Sequence, residues 1–252
     1  IIHKVLKDND IPEGVFNLVV AKSSIMGDNF LSDKRVPLLS VTGSTRVGQR
    51  VGGIVGKRLG KTILELGGNN AVIITPSADI KMAIMSTVFG TVGTAGQRCT
   101  TTRRIIIHED IYDDVRDKFV SAYEKIVPKI GNPLDENYLV GPLIDSGSVE
   151  LFSNAVDKVQ EEGGNILFGG QVLDGDGFES GNYVVPCIAE AENHFEIVQE
   201  ETFAPIVYLI KYKGDIINAI EIQNDVPQGL SSACFTLNVQ ESETFLSYAG
   251  SD

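Results

Sequence analysis

The stretch GTAGQRCTTTRR, Gly93 to Arg104, sets one cysteine behind two glycines and an arginine and ahead of three threonines. A structural cysteine normally sits among aliphatic neighbours, because a buried thiol behaves as a small hydrophobe. Cys99 has the opposite surroundings. The reactive form of cysteine is the thiolate, which a nearby cation or a cluster of backbone amides favours. Arg98 is a candidate cation, and Gly93 and Gly96 allow the backbone to fold closely around the sulfur. Taken alone, the stretch is equally consistent with a loop cysteine that has no chemical role.

Three further stretches carry chemistry. Glu65, in LELGGNN, falls inside an apolar strand and against two glycines. Burial there would raise its carboxyl pKa toward the range of a general base. A residue facing outward from a half-exposed strand is the plainer alternative. QEETFAP, 199–205, puts two glutamates before an aromatic residue and a proline-fixed turn. Acidic side chains at such a turn can hold ribose hydroxyls, and a solvated charged loop explains the same letters. TGSTRVG, 42–48, is a glycine-rich turn from strand to helix. Amides at a helix start, with Ser44, can receive a phosphate; a simple cap by Ser44 or Thr45 is the alternative.

The elements that must position these residues alternate between strand-like and helix-like, which predicts an α/β fold with a mostly parallel sheet flanked by helices. Apolar runs at 14–20, 36–43, 62–68, 70–75, 103–108, 182–188, 205–212 and 230–236 read as strands. Helices are expected over 44–60, after Asp79 with Ile80, Ala83, Ile84, Val88 and Val92 on one face, and after Asp110 with Ile111, Val115, Phe119, Ala122 and Ile126 inward. Two more are expected beyond residue 145 and near 215–224. Residues 131–145 read as a long irregular connection. The domain seam is placed at the Gly67–Gly68 pair, where a hinge would need permissive backbone.

The chain has 252 residues, 42% of them hydrophobic, and a formal net charge of −13. That length supports one large or two ordinary cores. Such an acidic surface argues against nucleic-acid and anionic-membrane partners, and obliges an anionic substrate to find a local cation. Three dispersed cysteines, Cys99, Cys187 and Cys234, suit a reducing, cytoplasmic compartment rather than a disulfide framework. Cys187 and Cys234, in apolar strands, read as core residues. No cysteine–histidine cluster suggests a metal site, and no apolar run is long enough to span a bilayer. A cysteine hydrolase would need His3, His108 or His194 beside Cys99. The chain does not open with methionine, which suggests a fragment or a processed start.

Together the four stretches, in this order, resemble the aldehyde dehydrogenase superfamily. VTGSTRVGQ is similar to its phosphate turn, LELGG to its glutamate segment and GQRC to its cysteine segment, 34 residues on (99 − 65). EETFAP is similar to its Glu-x-Phe turn, and PEGVFNLV, GNP and GPLI to its linking segments. With ELGGNNAVII and GQRCTTTRR the chain looks most like the antiquitin-type branch, which oxidises α-aminoadipic semialdehyde. The resemblance implies Cys99 as nucleophile and Glu65 as base. It implies Arg98 as holder of a substrate carboxylate, and Gly43, Ser44, Leu66, Gly67, Glu201 and Phe203 around NAD, with NADP not excluded. It implies a small-molecule aldehyde as substrate and a homo-oligomeric parent. It also implies that residues 1–68 end a cofactor domain and that 69–252 form most of a catalytic domain. An oxyanion-holding asparagine, adenosine contacts, a glycine-rich segment and oligomerisation strands would then lie outside this stretch. A catalytically incompetent piece of such an enzyme is the accompanying alternative.

Overall fold

The computed structural model describes residues 1–251. The chain divides into two compact units, Ile1–Leu66 and a larger one beginning at Gly67.

The first unit contains α1 (Ile2–Asp8), α2 (Ser23–Ser32), β1 (Leu38–Thr42), α3 (Thr45–Lys57) and β2 (Lys61–Glu65). β1 and β2 form a two-stranded parallel sheet in which Thr42 lies opposite Glu65. Ser44 starts α3 by accepting a hydrogen bond from the Val47 amide at 3.4 Å. The glycines of α3 do not break it. Gly48 lets Leu66 pack close, since a Cβ there would stand 2.4 Å from the end of the Leu66 side chain. Leu39, Val51 and Val55 make a small buried core. The apolar run 14–20 is not a strand: Leu18, Val19 and Val20 are exposed. β1 and β2 pair only with each other, so the run finds no ladder to join.

The second unit holds β3 (Asn70–Ile74), α4 (Ile80–Val92), β4 (Thr102–His108), α5 (Tyr112–Glu124), α6 (Ser146–Glu161) and β5 (Asn165–Phe168). After these come β6 (Cys187–Glu190), α7 (Glu196–Gln199), β7 (Ile206–Tyr212), α8 (Ile216–Asn224), β8 (Ser232–Phe235) and α9 (Val239–Phe245). Its six-stranded sheet has the order β5-β6-β7-β4-β3-β8. Every pairing is parallel except β5 with β6. Ile73 lies opposite Ile106 on one side and Cys234 on the other, and Ile106 opposite Ile210. β3 is buried at all five positions, as a strand covered on both faces must be.

Asp79 caps α4 by accepting from the Met82 amide at 3.0 Å. Ala83, Ile84, Thr87, Thr91 and Val92 are its buried face, with Ile80 and Val88 partly covered. α5 begins at Tyr112, after a short 3-10 turn over Glu109–Ile111. The run 182–188 yields a strand only from Cys187. Val184 makes an isolated bridge to Val172, and Pro186 has no N–H to offer a ladder.

Candidate active site

Cys99 is exposed, in the loop between α4 and β4. That loop is bent by three consecutive left-handed residues: Thr94 at φ 55°, Ala95 at 51° and Gly96 at 68°. For threonine and alanine the conformation costs of order 1–3 kcal/mol each, so surrounding contacts must hold it. One is visible at Gly96, where a Cβ would stand 2.4 Å from the Ala204 carbonyl. The cysteine loop and the 201–205 turn therefore touch backbone to backbone.

Hydrogen bonds complete the clamp. Asn70 Nδ2 donates to the carbonyls of Cys99 at 2.7 Å and Thr101 at 2.8 Å, while Asn70 Oδ1 accepts from the Ser231 amide. The Arg98 amide donates to Thr101 Oγ1 at 3.2 Å. Gly68 lies against the Cys99 carbonyl, 2.8 Å from where its Cβ would be. The Cys99 amide itself donates to no protein acceptor among the described residues. It is a free donor beside an exposed thiol, the arrangement an oxyanion needs.

Glu201 reaches the same place from the other side. Its Oε1 accepts from the Gly68 amide at 3.1 Å. Its Oε2 occupies the space where a Gly67 Cβ would stand, 2.0 Å away. Neither Gly67 nor Gly68 has a positive φ. These glycines provide room for a carboxylate and a carbonyl rather than an unusual backbone. Phe203, 41% exposed, flanks the turn.

Two arginines unforeseen as site residues hold these parts. Arg103, 1% exposed, donates from Nη1 to the Ala204 carbonyl at 2.8 Å and from Nη2 to the Arg98 carbonyl at 3.4 Å. Its Nη2 is 3.9 Å from Glu201 Oε1, and its guanidinium lies 5.6 Å from the Phe203 ring centre. Burial lowers its pKa to about 10, against the opposing pull of Glu201, Tyr208 and Cys99. Arg104, equally buried, gathers the carbonyls of Asn69, Ile222 and Gln223 and the Asn193 side chain. Two adjacent arginines opening an otherwise apolar strand were the available signal, since arginine is almost never buried without partners.

Arg98 runs back along its own loop. Its guanidinium stacks on Phe89, 5.3 Å from the ring centre, and fills the space beside Gly93. Among the described residues no carboxylate lies within 4.0 Å of it.

In the first unit Glu65 is exposed, the outward-facing alternative rather than the buried carboxyl. β2 is the edge of a two-stranded sheet, and Glu65 takes one of its outward positions. The Glu65 carbonyl accepts from the Gly43 amide at 3.1 Å, so that amide is committed to the turn. Leu66 packs on Gly48. Ser44 acts as the helix cap, and the Thr45 and Arg46 amides open the 13-residue α3.

Neither histidine of the second unit is bonded to Cys99. His108 closes the far end of β4, with Nε2 at the Gly214 carbonyl and Nδ1 accepting from the Asp110 amide. His194 stacks edge-on against Phe195, and His3 is in α1. Among the described residues no group of three or more His, Cys, Asp or Glu side chains is placed to hold a metal, and no helix is long and apolar enough to cross a membrane.

Comparison with known proteins extends these observations. The chain is 45% identical over 253 residues to rat α-aminoadipic semialdehyde dehydrogenase, covering 100% of this chain and 46% of that protein. It is 43% identical to aldehyde dehydrogenase family 7 member A1 of pea, covering 48% of it. The chain thus spans about half the length of the curated relatives it matches. Its fold superposes on betaine aldehyde dehydrogenase of Staphylococcus aureus, solved in complex with NAD+, with TM-score 0.91 and 28% identity over 96% of this chain and 48% of that one. HpcC of Thermus thermophilus gives TM-score 0.90 at 33% identity, over 96% of this chain and 47% of that one. The family model for aldehyde dehydrogenases matches residues 1–249. A match of that extent takes in both units, and the chain belongs to the aldehyde dehydrogenase family.

Proposed function

We propose that the complete protein oxidises an aldehyde to a carboxylic acid with NAD as acceptor, and that its substrate is α-aminoadipic semialdehyde or a related anionic semialdehyde. The observation that carries this reading is the clamp around Cys99. An exposed thiol with a free amide at its own residue is fixed against the Gly67–Gly68 pair and the Glu201–Pro205 turn.

The residues fit a nicotinamide dinucleotide. Glu201 offers a carboxylate at an open turn, with Gly67 leaving it space, for a ribose diol. Phe203 offers an aromatic edge beside it. The exposed start of α3, at Ser44 to Arg46, suits a pyrophosphate, with Gly43 and Leu66 shaping the turn rather than donating to it. The first unit is then the end of a cofactor domain and the second a catalytic domain.

The Cys99 thiolate attacks the aldehyde carbon, and the Cys99 amide receives the developing oxyanion. The nicotinamide, when bound, accepts the hydride that leaves the tetrahedral carbon, so the substrate becomes a thioester of Cys99. Glu65 takes a proton from water, whose oxygen attacks the thioester; the thiolate leaves and the acid is released. An exposed Glu65 is suited to meeting water. Arg98, with no ion-pair partner among the described residues, is the cation for the substrate carboxylate in an otherwise acidic molecule. The name of the rat relative supports this substrate class. A homo-oligomeric, cytoplasmic parent completes the reading.

In the complete protein, Cys99→Ser is expected to abolish semialdehyde-dependent cofactor reduction. Glu65→Gln is expected to keep a single-turnover burst followed by a slow steady state. Full activity of the Cys99→Ser variant would overturn the reading.

A further inference from the structure

Arg103 has no assigned task, yet it is buried between the cysteine loop and the Glu201 turn and bonded to both. Its fork ties the carbonyl of Arg98, the residue before the nucleophile, to the carbonyl of Ala204, three residues past Glu201. It approaches Glu201 without capturing it: 3.9 Å is beyond hydrogen-bond reach. Its Nε has no acceptor among the described residues. Glu201 in turn spends one oxygen on the Gly68 amide and holds the other against Gly67. The charged and titratable groups acting on Arg103 are Glu201, Tyr208 and Cys99.

Arg104 next to it commits its Nε and both Nη to partners, whereas Arg103 leaves its Nε unpaired. A buried cation with a spare donor, one step outside bonding range of a carboxylate, supplies counter-charge and leaves the carboxylate free for another partner. We infer that Arg103 is a positioning residue that acts through Glu201, holding that carboxylate toward the ribose of the cofactor while pinning the cofactor turn to the cysteine loop. The inference rests on the dinucleotide reading given above.

The test is a double-mutant cycle on the complete chain, read by calorimetric titration with NAD. Arg103→Met is expected to weaken NAD binding on the order of 10- to 100-fold, the loss typical of charge-assisted contacts. Arg103→Lys, which keeps the charge and one hydrogen bond, is expected to lose about 10-fold or less. In a Glu201→Gln background Arg103→Lys is expected to add roughly nothing, because contacting groups are not additive. Additive losses, or NAD affinity unchanged in both arginine variants, would overturn the inference. Should Arg103→Met fail to fold, the cycle built on Arg103→Lys decides alone. Absence of NAD binding by the unaltered chain would bring down the dinucleotide reading itself, and this inference with it. Binding by the unaltered chain with an additive cycle would bring down only the role of Arg103.

Discussion

The three thiols stand in three different environments. Cys99 is exposed on its loop, Cys187 is fully buried in β6, and Cys234 is half-buried in β8. Burial pushes the Cys187 thiol up to about 12; burial together with the nearby Glu241 does the same for Cys234. Near neutral pH both are therefore protonated and shielded. Limited iodoacetamide treatment of the native protein, followed by mass spectrometry, is expected to label Cys99 first. Labelling of Cys187 or Cys234 ahead of it would remove Cys99 from the mechanism. The residue types announced this much: a cysteine among glycine, arginine and threonine is visible in the letters. The direction of Glu65 stayed open between buried and outward, because alternation along β2 decides which way a side chain points, and an apolar run does not reveal that. The work of Arg103 and Arg104 was also hidden. Their partners are backbone carbonyls up to 119 residues away, and carbonyls leave no mark in a sequence.

Among the elements, those with local causes were the legible ones. β3 and β4 carry the apolar runs Ala71–Ile74 and Ile105–Ile107, and α4 begins at its capping aspartate. The run at 14–20 is also apolar yet forms no strand, since a strand exists only where another strand accepts it. Short elements such as β5 and α7 depend on neighbours in the same way. The glycines of the site separate these causes experimentally. At Gly96, alanine would need a positive φ and would meet the Ala204 backbone, which cannot yield. At Gly67, alanine would meet only the end of the Glu201 side chain, which can turn away. Gly96→Ala is therefore expected to cost about 2–4 kcal/mol in denaturant unfolding. Gly67→Ala is expected to cost about 1 kcal/mol or less while weakening cofactor binding in the complete protein. Equal stability losses at both positions would contradict this division.

At the scale of the whole chain the two units are unequal. The larger one owns the continuous core that runs from Ala71 through Ile105–Ile107 to Ile210. The smaller one buries Leu39, Val51 and Val55 and leaves Leu18, Val19 and Val20 in solvent. A core that small cannot offset the conformational entropy of its chain. Residues 67–252 expressed alone are expected to unfold in one cooperative transition by calorimetry. Residues 1–66 alone are expected to show none. A sharp transition from the short piece would show that its stability lies outside the apolar contacts named.

The buried strand β3 gains its two neighbours at very different moments of synthesis. β4 follows it after a single helix, whereas Ala71 pairs with Ser232, well over half the chain later. While the ribosome works through the residues between, the Ala-Val-Ile-Ile edge of β3 stays open. At ordinary elongation speeds that interval lasts roughly 10–30 s. An open apolar edge is a template for any other nascent strand. The fold that later holds the nucleophile loop therefore passes through a period in which this edge is open to pairing with another chain, and slow translation between β4 and β8 lengthens that period directly.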